Sequence, residues 1–299
     1  MNSCTLCPRN CGVDRTKGKA GVCGASDKIK IARASLYLWE EPCISGENGS
    51  GTVFFSGCNL SCVYCQNKKI SHENFGITVD RERLVEIFFE LKERCAHNIN
   101  LVTASHFLPD VLSAVELAKM RGIGIPFVYN TSSYEKTEAL KECCGLIDIF
   151  LPDFKYIESE TAKKYSSAPD YSEVAKAAID EMIRQQPTPV FSEDGMMTKG
   201  VIVRHLLLPE RLAESKKIIK YLYEKYENNI FLSIMNQYTP VGNLDAFPEL
   251  KRRVKDSDYE KLIDYALSLG VENAFIQEGG AAEESFIPDF DGFGVVKEV

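Results

Sequence analysis

From residue 52 onward, short runs rich in β-branched and aromatic residues alternate with longer segments whose apolar positions recur three to four apart. That alternation predicts parallel strands joined by crossover helices, an α/β chain. The predicted strands are 52–56, 100–104, 126–130, 148–152, 201–207 and 230–235, with a seventh at 273–277. Between them, Leu84, Ile87, Phe88 and Leu91 predict one amphipathic helix, Val111, Leu112, Val115 and Ala118 a second, and Val174, Ala178 and Met182 a third. Pro109 suits a first helical turn, Gly122 and Gly145 suit C-terminal caps, and Ser257 with Glu260 reads as a capping box before 262–269. Six to seven βα units fall short of a closed eightfold barrel, so a partial (β/α)6 barrel is expected. Residues 1–45 stand apart: they are rich in Gly, Lys and Cys before a strand-like run at 29–39, and they predict a small metal-stapled N-terminal module ahead of a barrel over 46–299. The segment 286–299 mixes aromatics with Asp and Gly and is expected to be a lid or a surface strap.

With 299 residues, 44% hydrophobic and 26% charged, the chain can bury a full core. Thirty-five Lys and Arg against 43 Asp and Glu leave a net charge of −8, which argues against general affinity for nucleic acid or for anionic membranes. No run approaches the roughly 20 apolar residues of a membrane span, and the N-terminal stretch is polar, so a cytoplasmic protein is expected. Eleven cysteines in a reducing compartment point to metal chemistry rather than disulfides, and seven of them cluster. Cys95, Cys143 and Cys144 read as buried single thiols, while Cys43 is left unassigned.

Cys58, Cys62 and Cys65 lie in a loop directly after the first predicted strand, at its carboxyl end, where active sites of such barrels form. Thiolates are the usual ligands of iron–sulfur clusters, and a four-iron cluster takes four. Three would leave one iron open to a substrate or cofactor. A structural zinc site needs four ligands, and His72 is the one nearby side chain able to supply a fourth.

This CxxxCxxC loop, with Tyr64 before its last cysteine, resembles the signature of the radical S-adenosylmethionine (SAM) superfamily. The resemblance implies a [4Fe-4S] cluster on Cys58, Cys62 and Cys65, SAM chelated by the open iron, and backbone near Tyr64 lying against the adenine. It narrows over most of residues 50–240 to the subgroup of pyruvate formate-lyase activating enzyme. Asp153-Phe-Lys155 resembles that subgroup's Asp-Leu-Lys element, in which the Asp helps bind a monovalent cation and the Lys approaches the SAM carboxylate. Arg204 and His205 resemble its Val-Arg-Tyr or Val-Arg-His stretch; strand alternation turns them to opposite faces, so one is expected in the cavity and the other in a structural role. Asn130 stands where the activating enzymes carry the Asp of Asp-Thr-Asn-Gly, and Thr103 and Ser105 occupy the place of a Gly-Gly-Glu element that holds the SAM amino group. His106 beside them is a candidate acid or base, or a core histidine.

Cys4, Cys7, Cys11 and Cys23, with glycines around them, offer four thiolates for a second metal site, zinc or an additional iron–sulfur cluster. The stretch resembles the front of a little-characterised branch of the activating-enzyme relatives. Glu40 and Glu41 beside Trp39, and Gln237 and Tyr238 after the sixth strand, are candidate substrate contacts.

The expected function is that of a radical SAM oxidoreductase. It takes electrons from a flavodoxin or ferredoxin, cleaves SAM to a 5′-deoxyadenosyl radical, and abstracts hydrogen from a substrate, which the resemblance makes a backbone glycine of a partner enzyme. Radical modification of another peptide or a small molecule is the nearest alternative. A nonenzymatic iron–sulfur electron carrier is the reading from another class, and RNA modification is disfavoured by the acidic charge.

Overall fold

The computed structural model describes residues 3–277 and 288–297. In chain order the strands are β1 (Lys30–Tyr37), β2 (Ser50–Phe55), β3 (Ile77–Thr78), β4 (Ile99–Val102), β5 (Phe127–Thr131), β6 (Ile149–Pro152), β7 (Val190–Phe191), β8 (Met197–Leu206), β9 (Phe231–Met235) and β10 (Ala274–Ile276). They form one sheet in the order β10-β9-β8-β6-β5-β4-β2-β1-β3, with β7 pairing β8 off that path. From β2 through β10 the main path is parallel throughout, while β1 and β3 extend it antiparallel at one edge. Every residue of β2, β4, β5 and β6 is buried, as expected of parallel strands covered on both faces.

The seven predicted parallel strands are all present, and the path of pairings among the described residues is open, as six to seven units require. The helices Arg81–Glu93, Leu108–Met120 and Tyr171–Gln185 bury the apolar positions that predicted them, apart from Val174, which is partly buried against the core. The run at 29–39 departs from its assignment to the front module. As β1 it pairs with β2 from Ile31 to Tyr37, so the sheet begins well before residue 46. The capping box at Ser257 and Glu260 does not form: the helix Asp256–Leu269 starts earlier, with Lys255 at its cap and no side-chain hydrogen bond there. Cys143 is buried as expected, but Cys95 and Cys144 are exposed, because each lies just past a helix where the chain turns at the surface.

Of the C-terminal segment, Phe286, Ile287 and residues 298–299 lie outside the described residues, and 288–297 cover the β1 edge. Ala34 N–H donates to Phe293 O and Gly292 N–H to Ala32 O, both at 2.9 Å, and buried Phe290 packs edge-on against Phe54 with ring centroids 5.3 Å apart. Strand-like hydrogen bonds thus occupy backbone groups that an open edge would expose.

Candidate active site at the carboxyl ends of the parallel strands

Parallel strands end at a common edge, so residues just past them converge there. A cavity of about 240 Å³ opens at this edge. It is lined by all three loop cysteines and by Tyr64, Thr103, Asn130, Asp153, Lys155 and Arg204, which arrive from five different strand ends.

The chain enters the cysteine loop through Gly57, whose φ of +93° suits glycine. A Cβ there would stand 2.4 Å from the carbonyl oxygen of Cys23, too close for any side chain. Each loop thiol accepts a hydrogen bond: from Leu60 N–H to Cys58 Sγ at 3.4 Å, from Ser166 Oγ to Cys62 Sγ at 3.1 Å, and from Ser71 Oγ to Cys65 Sγ at 3.3 Å. Burial pushes the Cys62 and Cys65 thiols up, Cys65 to about 12, and other thiols of the loop add to the effect. Such thiols ionise when a cation takes the place of their protons.

Four charged side chains form a lattice on the cavity wall. Lys155 Nζ donates to Asp153 Oδ2 at 2.6 Å, and Arg204 reaches Asp153 Oδ1 at 2.9 Å, Glu40 Oε2 at 3.0 Å and Asn130 Oδ1 at 2.5 Å. Asn100 and Asn130 donate to the other Glu40 oxygen at 2.9 and 3.2 Å. Burial alone would raise Asp153, but Arg204 and Lys155 beside it hold it below the usual carboxylate range. Glu40 has only Arg204 as a cationic neighbour in this lattice, and burial, reinforced by the negative charges of Glu41 and Asp153, pushes it up to about 7. Burial opposes the charge of Lys155, yet Asp153 and the nearby Cys62 keep it above the ordinary lysine value.

Thr103 also belongs to this wall; its φ of +60° is unusual for a β-branched residue, and its N–H donates to Asn130 O at 2.9 Å. Tyr64 is buried, with its hydroxyl 2.6 Å from that of Tyr156, which lies 2.8 Å from Ser166 Oγ. A hydrogen-bonded chain therefore runs from Tyr64 through Tyr156 and Ser166 to Cys62. Gln237 and Tyr238 reach the cavity too, and Tyr238 packs edge-on against Tyr64 while donating to Leu250 O at 2.6 Å.

Two expected cofactor contacts lie elsewhere. His205 faces the helical layer, its Nδ1 2.8 Å from Phe154 O and its Nε2 2.8 Å from Ser215 Oγ; alternation along β8 gives the cavity to Arg204. Ser105 donates to buried Glu135 at 2.8 Å, in a group with Tyr129 and Thr131, and does not line the cavity. The sequence reading missed Asn100, Tyr156 and Ser166, which come from a strand, a strand-following loop and a helix with no shared motif; only the fold brings them together.

The four front cysteines line a second, smaller cavity together with Arg15 and His106. Among the described residues, no three His, Cys, Asp or Glu side chains stand close enough together to hold a single metal ion. A four-iron cluster is larger than one ion, and its ligands stand farther apart than the under about 4 Å that metal–sulfur bonds of about 2.3 Å impose at a tetrahedral ion. The loop fits such a cluster: three hydrogen-bonded thiols share one cavity, and among the described residues no fourth Cys or His lines it. His72, the one candidate for that place, is 2.8 Å from Ser71 Oγ and outside the lining.

Residues 52–198 match the radical SAM superfamily. An uncharacterised protein of Methanocaldococcus jannaschii is 27% identical over 273 residues, covering 89% of this chain and 75% of the relative. The crystal structure of Streptococcus suis SuiB bound to S-adenosylmethionine superposes with a TM-score of 0.51 at 14% identity over 74% of this chain. Methylornithine synthase follows at 0.49 and 13% over 71%. The chain spans about half the length of these solved structures, 48% of the first and 58% of the second; at 14% identity the likeness to the first concerns the fold alone.

Proposed function

We propose, from the match of residues 52–198 to the radical SAM superfamily, that this chain is an enzyme that cleaves SAM reductively and abstracts hydrogen from a substrate. Cys58, Cys62 and Cys65 would hold a [4Fe-4S] cluster, which would supply the one-electron chemistry that cleaves SAM to a 5′-deoxyadenosyl radical. The chain's own residues orient and shield. Lys155 is a compact cation suited to the SAM carboxylate, and Asp153 with Arg204 fixes its position through charge-assisted hydrogen bonds. The Thr103 and Asn130 main chain and the Asn130 side chain offer polar groups on the adjoining wall. Glu40 is a carboxyl able to hold or release a proton near neutrality at the cavity wall.

The observation that carries this reading is the convergence on one cavity, among the described residues, of three thiols with no fourth Cys or His and a Lys–Asp–Arg–Glu lattice. The hydrogen donor we propose is a peptide position, in first place a backbone glycine of a partner protein. The support is the similarity of the Asp153–Lys155 and Arg204 elements to the activating enzymes, together with exposed Trp39 on the cavity rim. A flavodoxin or ferredoxin is the proposed reductant.

Anaerobic reconstitution with iron, sulfide, SAM and a reductant should yield 5′-deoxyadenosine and methionine in equal amounts, and Cys62→Ala should abolish both. A fully loaded cluster whose paramagnetic spectrum is untouched by SAM would instead make the chain an electron carrier. Deuterium transfer from labelled candidate peptides into deoxyadenosine separates a glycine donor from other substrates.

A further inference from the structure

The four-cysteine front is built against the loop that holds the other three cysteines. Cys58 N–H donates to Cys23 O at 3.2 Å, so one ligand candidate of each set is joined to the other by a main-chain hydrogen bond. Arg9 reinforces the contact, its guanidinium donating to Asn59 O at 2.8 Å, Leu60 O at 3.3 Å and Ser166 O at 3.0 Å. Arg15 donates to His106 O at 2.6 Å, and Lys136 Nζ to Thr5 O at 2.8 Å. Gly57, the hinge of the loop, has no room for a Cβ because Cys23 O and the His106 ring stand over it, at 2.4 and 3.2 Å.

A second observation marks the front cavity as a ligand site. His106 lines it, is 2% exposed, and holds Ser56 O at 2.7 Å with Nε2. A carbonyl only accepts, so Nε2 carries the proton and Nδ1 keeps a lone pair, which is buried with no partner. Four thiols and an unpartnered ring nitrogen around one cavity are soft donors suited to iron or zinc. Among the described residues no three His, Cys, Asp or Glu side chains stand close enough to hold a single ion, the four front thiols line a cavity of about 10 Å³, and four thiolates are the usual ligand number of a four-iron cluster.

We propose that Cys4, Cys7, Cys11 and Cys23 hold a second iron–sulfur cluster that passes electrons to the loop cluster through Cys23 and Cys58. The route from one sulfur to the other uses only these two residues and the single hydrogen bond between them. One electron leaves a reduced ferredoxin or flavodoxin, which is oxidised by one electron, reduces the front cluster, and then moves to the loop cluster; no proton or group is transferred. The site stands on its own residues, whereas the destination of the electron rests on the function proposed above.

The test uses the full chain, reconstituted anaerobically, with Cys7→Ser and Cys11→Ser as separate variants; Cys11 is the least buried of the four, and the arginine contacts that seat the front do not involve either side chain. Wild type should carry about eight irons with matching sulfide, and each variant about four, as two four-iron clusters require. The reduced wild type should show a spin-coupled paramagnetic spectrum, and the variants an uncoupled one that still shifts on adding SAM. Rapid mixing with reduced ferredoxin should bleach both clusters of the wild type, while in the variants loop-cluster reduction by ferredoxin is lost and reduction by dithionite persists. Stoichiometric zinc at the front, no metal there, or undiminished ferredoxin reduction in both variants would overturn the proposal. If SAM is never cleaved, the proposed function fails, yet the iron count and the coupling still decide the front site.

Discussion

At the residue scale, charge and hydrogen-bond partners around the cavity define what each side chain contributes. Lys155 is paired only to Asp153 in the lattice, and Asp153 keeps Arg204 when the lysine is gone. Lys155→Met should therefore weaken SAM binding by about tenfold, the loss of one charge-assisted hydrogen bond, with little effect on folding, as calorimetric titration of the loaded protein will show. Glu40 gives a stability prediction. Its carboxyl is raised from 4.5 to about 7 by burial, so the folded protein holds this proton more tightly than the unfolded chain does. The resulting stabilisation is complete below about 4.5 and is lost as the pH rises through 7. Melting temperatures of Glu40→Gln should fall less than those of wild type across that window, and equal slopes would rule the assignment out. Ser166 would tune the proposed loop cluster through its hydrogen bond to Cys62 Sγ, since hydrogen bonds to ligand sulfur favour the reduced state. Ser166→Ala, which removes the bond to Cys62, should shift the cluster potential to more negative values in a potentiometric titration.

At the scale of elements, the turn out of β2 and the short link before it decide where the chemistry sits. Gly57 combines a positive φ with the carbonyl of Cys23 where its Cβ would be. Gly57→Ala should cost about 1–3 kcal/mol from backbone strain alone, measurable by denaturant unfolding, and should loosen the front from the loop, seen as faster hydrogen exchange at Cys58. The link after β1 carries Glu40 across the sheet to Arg204, 164 positions away, at 3.0 Å. The antiparallel strand β1 is thus both a cover for the sheet edge and the arm that brings an acid to the cavity.

At the scale of the whole molecule, segments from both chain ends brace the parallel sheet. The front reaches the cysteine loop through Arg9 and Cys23, and residues 288–297 lie along β1, with Pro288 on the rim of the cavity. Phe290 is 4% exposed against Phe54, so Phe290→Ala should destabilise the protein by about 3 kcal/mol, the usual cost of emptying a buried aromatic site, in thermal or chemical unfolding. The cavity should stay intact in that variant, since its wall is set by the parallel strands. Among the described residues no helix is long and apolar enough to cross a membrane.

Local chemistry and periodicity were enough to read the parallel strands, three of the crossover helices and the three-cysteine loop, because each signal lies within a few residues of sequence. Spacing alone grouped Cys58 with Cys62 and Cys65, and strand alternation showed that Arg204 and His205 could not both face the cavity. Which of them did so depended on the side of the sheet that the helix Leu212–Tyr226 covers, where Ser215 receives His205. The same limit explains the rest. Ser105 turned to Glu135, Ser166 to Cys62, and Cys23 to Cys58, each through contacts between segments far apart in the chain, and a partner's distance in sequence carries no trace of its nearness in space. Residue types dictated what the site can bind; the packing of the sheet dictated which of them are there to bind it.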